Sequence, residues 1–128
     1  MMALGSLLVL DDDTAVGTVL MFAARSAGFE AELCETPQAF FDTLRSWAPT
    51  HVAIDLQLGG TDGLQVLRRL AEGTARPLVI IISGAGDATL QAALQQAQDL
   101  GLPTAGVLNK PFSLAALRSL LADNPAPR

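Results

Sequence analysis

Cysteine occurs once in the 128 residues, at Cys34, so an internal disulfide is excluded and no cysteine spacing suggests a metal site. A lone thiol suits a reducing compartment, and Cys34 is read as a buried, inert side chain. Clusters of basic charge are missing too. The only adjacent pair is Arg68 with Arg69, read as a solvated helix face, and the formal net charge is −5. Nucleic acid is therefore not expected as a direct partner. No apolar run reaches the length of a membrane span. The N-terminal stretch has no basic region and runs directly into Asp11, Asp12 and Asp13, unlike a secretion signal. No membrane contact is expected, and the expected compartment is the cytoplasm. Internal repeats and low-complexity blocks are absent as well.

What remains is half hydrophobic, and a chain of this length buries roughly two thirds of its unfolded surface in one domain. Four apolar runs have strand length: LLVL at 7–10, VAI at 52–54, LVIII at 78–82 and GVL at 106–108. All four read as strands buried on both faces. Glu30 to Cys34 alternates polar and apolar residues and reads as an exposed edge strand. Helical segments separate the strands. In the segment from Asp87 to Leu100, the residues Leu90, Ala93, Leu94 and Ala97 share one face, and Gln91, Gln95, Gln96 and Gln98 point elsewhere. Start signals stand at Asp13, at Thr36 before Pro37, at Asp62 with Gly63, and at Ser113; Gly28, Gly73 and Gly101 mark helix ends. Phe40, Phe41 and Trp47 are read as packing of the second helix, and Phe112 as an anchor for the last one.

Five alternations of strand and helix predict an α/β doubly wound fold, a flavodoxin-like (βα)5 three-layer sandwich with parallel sheet order 2-1-3-4-5. The expected domain spans 1–123, with 124–128 as a linker-like tail. In this class of sheet, ligands sit beyond the carboxyl ends of the strands. Those ends carry Asp11, Asp12 and Asp13 after the first strand, Asp55 after the third, Ser83 after the fourth and Lys110 after the fifth. Neighbouring carboxylates repel by about 4 kcal/mol per close pair at an effective dielectric near 20. A divalent cation relieves that repulsion, and Mg²⁺ suits a site with few carboxylates and room for phosphate oxygens. Lys110, the only lysine, and Ser83 supply an ammonium and a hydroxyl for an anion. A carboxylate nucleophile with a metal pair, a hydroxyl and an ammonium is what phosphoryl transfer to Asp55 requires. Asp13 is read as a helix cap. His51 has no partner at ligand spacing and is read as structural.

The segments LLVLDDD, AIDLQLGGTDG, VIIISGAG and LNKPF together resemble the receiver domains of two-component response regulators over nearly the whole chain. That resemblance implies an acidic pair, Asp11 and Asp12, for Mg²⁺, with the Gln57 backbone carbonyl completing the metal shell. It implies phosphorylation of Asp55, contacts from Ser83 and Lys110 to the phosphoryl group, and a cis bond between Lys110 and Pro111. The implied role is a switch in a phosphorelay, not an enzyme acting on a separate substrate. Its implied partners are a sensor histidine kinase or histidine phosphotransfer protein as donor and a downstream protein or separate output domain. The fourth helix, fifth strand and fifth helix would form the signalling face, which could also seat a second copy of the chain. Three positions depart from the family pattern. Gly59 replaces a common proline, which predicts a looser loop; Val107 replaces the usual Tyr or Phe; and DLGLPTAGVLNKPF resembles receivers joined to cyclic-dinucleotide phosphodiesterase domains.

A flavodoxin-type cofactor module would need a phosphate loop where the three aspartates stand, and they would repel the phosphate. A phosphatase using Asp55 would need an acid at position 57, where glutamine stands. A receiver retained only as a scaffold would have lost some of the five central positions, and all are present.

Overall fold

The computed structural model describes residues 3–126, so the last two residues of the expected tail, 127 and 128, lie outside the described residues. The chain runs β1 (Gly5–Leu10), α1 (Thr14–Ser26), β2 (Phe29–Cys34), α2 (Pro37–Trp47), β3 (His51–Asp55), β4 (Gln57–Leu58), β5 (Thr61–Asp62), α3 (Gly63–Glu72), β6 (Leu78–Ser83), α4 (Asp87–Asp99), β7 (Thr104–Asn109) and α5 (Leu114–Asp123). The main sheet has order β2-β1-β3-β6-β7 with every pairing parallel. Counting only its own strands, this is the expected 2-1-3-4-5.

Alternation along the central strands sends successive side chains to opposite faces. Leu8, Leu10, Val52, Ile54, Val79 and Ile81 pack toward α2, α3 and α4, whereas Leu7, Val9, Ala53, Ile80 and Ile82 pack toward α1 and α5. Two cores therefore sandwich one sheet, and β1, β3 and β6 are apolar on both faces as their sequences demand. The expectation of two buried faces fails for the last run. Thr104–Val107 in β7 are half-buried and only Leu108 is buried. The expected strand order already puts β7 at an edge, with a strand on one side only, and there its two faces are less completely covered than those of the central strands.

The helix boundaries follow the sequence signals. Asp13, Thr36, Asp62 and Ser113 each accept backbone N–H groups at the start of α1, α2, α3 and α5. On α4, Leu90, Ala93 and Ala97 are buried and Leu94 lies at the margin, with Gln91, Gln95 and Gln98 exposed. The α4 helix stops before Gly101, whose φ of +82° suits glycine. Phe40 and Phe41 are buried in the core, Trp47 packs at its margin, and Cys34 is buried. Arg68 and Arg69 are exposed, with the Arg69 guanidinium 4.1 Å above the Phe41 ring. The β2 edge has its own protection: Glu30 and Glu32 point outward, and Arg25 Nη2 donates to the Ala31 carbonyl at 2.9 Å. No helix among the described residues is long and apolar enough to cross a membrane.

Residues 57–62 form a small antiparallel hairpin that the apolar pattern does not announce, pairing Gln57 with Asp62 and Leu58 with Thr61. Its turn is Gly59–Gly60, with φ of +76° at Gly60. The following helix can begin at once because residue 63 is glycine. A Cβ there would stand 2.6 Å from Leu56 Cα and 2.7 Å from the Asp55 carbonyl oxygen.

His51 is structural. Its fully buried ring places Nε2 2.6 Å from the Asn124 carbonyl and Nδ1 2.8 Å from Thr50 Oγ1, with the Phe29 ring edge-on at 5.2 Å. Burial holds its pKa below the ordinary 6.5, and the smaller effect of the Asn124 hydrogen bond acts the other way. The unfolded chain therefore takes up this proton first as the pH falls. The stability contributed by neutral His51 is complete above about 6.5 and is lost below it. Urea unfolding should show that loss between pH 8 and acidic pH, and a His51→Gln variant should show a shallower one; parallel curves would contradict this assignment.

Candidate functional site

All five sheet strands run parallel, so their carboxyl ends share one edge and the residues at or just beyond those ends converge. Asp11 follows β1, and Asp55 and Ser83 are the last residues of β3 and β6. Lys110 follows β7 and is joined to Pro111 by the expected cis bond. The register holds them level: Asp55 pairs with Ile82, Ser83 pairs with Asn109, and the Lys110 N–H donates to the Ser83 carbonyl at 2.9 Å.

Asp11, Asp55 and Ser83 are buried, a costly setting for two carboxylates. Lys110 offsets it. Its Nζ donates to Asp55 Oδ2 at 3.1 Å and lies 3.3 Å from Asp11 Oδ2. That second approach is an ion pair without hydrogen-bond alignment, and Asp11 Oδ2 is left buried with no hydrogen-bond partner. Burial raises the Asp11 pKa, and the Asp55 charge adds to the rise. The Asp13 N–H and the Lys110 charge oppose it without cancelling it. Burial by itself would lower the Lys110 pKa, but its hydrogen bond to Asp55 and the charges of Asp55 and Asp11 outweigh burial and leave it above its ordinary value.

Asp12, Asp11 and Asp55 each offer an oxygen within 4.8 Å of those of the other two. Three such oxygens, one of them on a side chain with an orphaned buried acceptor, form a hard donor set that suits a small divalent cation. Asp12 is exposed, and its Oδ2 accepts the Gly59 N–H at 2.7 Å. The loop expected to be loose at Gly59 is thus tied to the acidic pair, because glycine supplies an N–H that proline would lack.

Gln57 stands beside the site in two ways. Its N–H donates to Asp55 Oδ1 at 3.0 Å, and its side-chain Oε1 accepts the Gly84 N–H at 3.3 Å. Ser83 Oγ accepts the Ala85 N–H at 3.0 Å, leaving its hydroxyl proton for another acceptor. A cleft of about 450 Å³ opens here, lined in part by Leu56, Gln57, Asp62, Ser83 and Ala85. A further link, from Asn109 Nδ2 to Asp87 Oδ1 at 3.1 Å, fastens the start of α4 to the residue before Lys110. Val107 is half-buried, with no ring to move. A larger groove of about 730 Å³ lies between α2 and α3, floored by Phe41, Leu44 and Leu70, and no carboxylate lines it.

Sequence reasoning located Asp11, Asp12, Asp55, Ser83 and Lys110, and the structure brings all five to this edge. It overlooked the Gly59 N–H, the Gln57 side chain and the link between Asp87 and Asn109. Adjacent glycines after a short polar-apolar pair were the available signal for the hairpin. Nothing local announces the other contacts.

Comparison with known proteins gives a consistent result. The family model described as "Response regulator receiver domain" matches residues 7–122. The transcriptional regulatory protein FixJ of Bradyrhizobium diazoefficiens is 32% identical over 117 residues, 91% of this chain and 55% of its own length. The response regulator MprA of Mycolicibacterium vanbaalenii is 33% identical over 121 residues, covering 90% of this chain and 49% of that protein. The chain thus spans about half the length of these curated relatives. Among solved structures, a response regulator signal receiver domain from Bermanella marisrubri has a TM-score of 0.77 at 27% identity, covering 92% of this chain and 95% of its own. The chemotaxis response regulator CheY4 of Vibrio cholerae shares the fold, with a TM-score of 0.79 at 16% identity over 96% of this chain and 98% of that one.

Proposed function

The chain belongs to the response regulator receiver domain family, and from that membership we propose that it is a Mg²⁺-dependent switch that accepts a phosphoryl group on Asp55. The observation that carries this reading is the Lys110 ammonium, 3.1 Å from Asp55 Oδ2 and 3.3 Å from Asp11 Oδ2, with Asp12 completing three carboxylates. Asp11, Asp12 and Asp55, with the Gln57 carbonyl, would hold Mg²⁺. Bound there, Mg²⁺ would accept phosphoryl oxygens and neutralise their charge.

A carboxylate oxygen of Asp55 attacks phosphorus, and the new O–P bond forms as the donor's bond to phosphorus breaks and the donor keeps that electron pair. A phosphohistidine on a sensor kinase or phosphotransfer protein is the donor we assign. Lys110 exchanges its Asp55 partner for a phosphoryl oxygen, and the Ser83 hydroxyl donates to another. Position 57 carries an amide and no acid, which suits a product that persists as an aspartyl phosphate.

The signal then leaves through residues 84–86. Drawing Ser83 and Lys110 toward the phosphoryl group pulls on two attachments at the start of α4, the 84–86 connection and the link from Asp87 to Asn109. The face formed by α4, β7 and α5 thereby changes for a partner protein, a joined output domain or a second copy of the chain. No ring at position 107 is needed for this route.

Incubation with acetyl phosphate and Mg²⁺ should add one phosphoryl group, read by intact mass, and excess EDTA should prevent it. Undiminished labelling in EDTA would remove the metal from the mechanism.

A further inference from the structure

Each of the three site carboxylates has one oxygen fixed by a backbone N–H. Asp13 donates to Asp11 Oδ1 at 2.9 Å, Gln57 to Asp55 Oδ1 at 3.0 Å and Gly59 to Asp12 Oδ2 at 2.7 Å. The first two donors lie two residues beyond their acceptors, so they belong to the local turns that follow β1 and β3. The third joins residues 47 apart, and it is the shortest of the three.

Gly59 is not there for its backbone freedom. Of the two central residues in the β4–β5 turn, only Gly60 has a positive φ. That is the type II pattern, in which the first central position readily takes proline. A proline there would satisfy the turn but would offer Asp12 no proton. What glycine adds at position 59 is therefore its N–H.

The geometry points to Gly59 as a positioning residue for the divalent cation, acting through Asp12. This rests on the metal reading above. Asp12 is the exposed member of the trio, and an exposed carboxylate must give up rotamer freedom to bind a metal. The Gly59 N–H removes much of that freedom beforehand, holding an Asp12 oxygen within 4.8 Å of those offered by Asp11 and Asp55. Removing a hydrogen-bond partner from a metal-binding carboxylate typically weakens the metal about 10- to 100-fold. Linkage runs in both directions, so an occupied site also steadies the hairpin at residues 57–62.

The test is a Mn²⁺ titration of the purified chain by calorimetry, with thermal unfolding in EDTA as a check on the fold. Gly59→Pro should raise the Mn²⁺ Kd by about tenfold or more without lowering the unfolding temperature. Gly59→Ala keeps the donor; its Cβ would stand 3.0 Å from Asp12 Oδ2, and the exposed carboxylate can yield that small distance. It should bind close to wild type. In an Asp12→Ala background, where nothing remains to be positioned, Gly59→Pro should weaken binding no further. Positioning by Gly59 is overturned if Gly59→Pro binds like wild type, if Gly59→Ala loses as much as Gly59→Pro, or if the proline costs the same without Asp12. A wild-type chain that takes up no Mn²⁺ is a different result, and it overturns the metal reading itself.

Discussion

An Asp55→Asn variant should take up no phosphoryl group from acetyl phosphate under conditions that label the wild-type chain completely. No neighbouring carboxylate can substitute. Asp11 reaches Lys110 without a hydrogen bond and lies on β1's side of the site, and Asp12 is exposed and tied to Gly59. Of the three carboxylates, only Asp55 ends a strand that pairs with β6, and so it sits beside Ser83. The fold should survive, because asparagine still accepts the Gln57 N–H and the repulsion with Asp11 disappears. Intact mass and a denaturant curve on the same sample separate loss of the acceptor from loss of the fold. Equal labelling of the variant would place the acceptor elsewhere.

Replacing Lys110 with methionine should cost about 3 kcal/mol of stability at neutral pH in EDTA, because two buried carboxylates lose their counter-charge. Lys110 is itself partly exposed, which holds the figure to the lower end for a broken buried pair. Its raised pKa means that the contribution is complete throughout the neutral range and fades only as the pH rises past the ordinary lysine value near 10.5. Acid should reduce the deficit from the other side, since Asp11, already raised, then binds a proton. Adding Mg²⁺ should stabilise the variant more than wild type, by replacing the missing cation. Asp11→Asn should do the reverse and stabilise the metal-free fold. A Lys110→Met variant as stable as wild type in EDTA would show that the carboxylates do not depend on the ammonium.

The parts of this molecule that could be read from sequence are those whose physics is local. LLVL and LVIII have strand length and no polar face, so they read as strands buried on both faces, and a residue that ends such a strand is carried to the functional edge with it. Asp55 and Ser83 were therefore legible without any contact being known. The edge position of β7 follows from the expected strand order, but its apolar run does not show how completely the helices will cover its two faces. The hairpin at 57–62 was missed because two-residue strands are too short to show a period. The approach of Asp11 to Lys110 and the Gly59 N–H on Asp12 join distant parts of the chain. A backbone donor has no side-chain signature at all, and for that reason Gly59 could be read only as a relaxed position.

The edge formed by β2 bears on how the protein behaves in company. Copies of the chain at high concentration bring identical edges together. Two such edges meeting would set Glu30 and Glu32 near their own counterparts, and Arg25 already occupies the Ala31 carbonyl that a foreign strand would need. Strand-to-strand adhesion along β2 is thereby disfavoured whatever the state of Asp55. Association is left to surfaces away from that edge, among them the opposite side of the sheet, where β7 lies between α4 and α5.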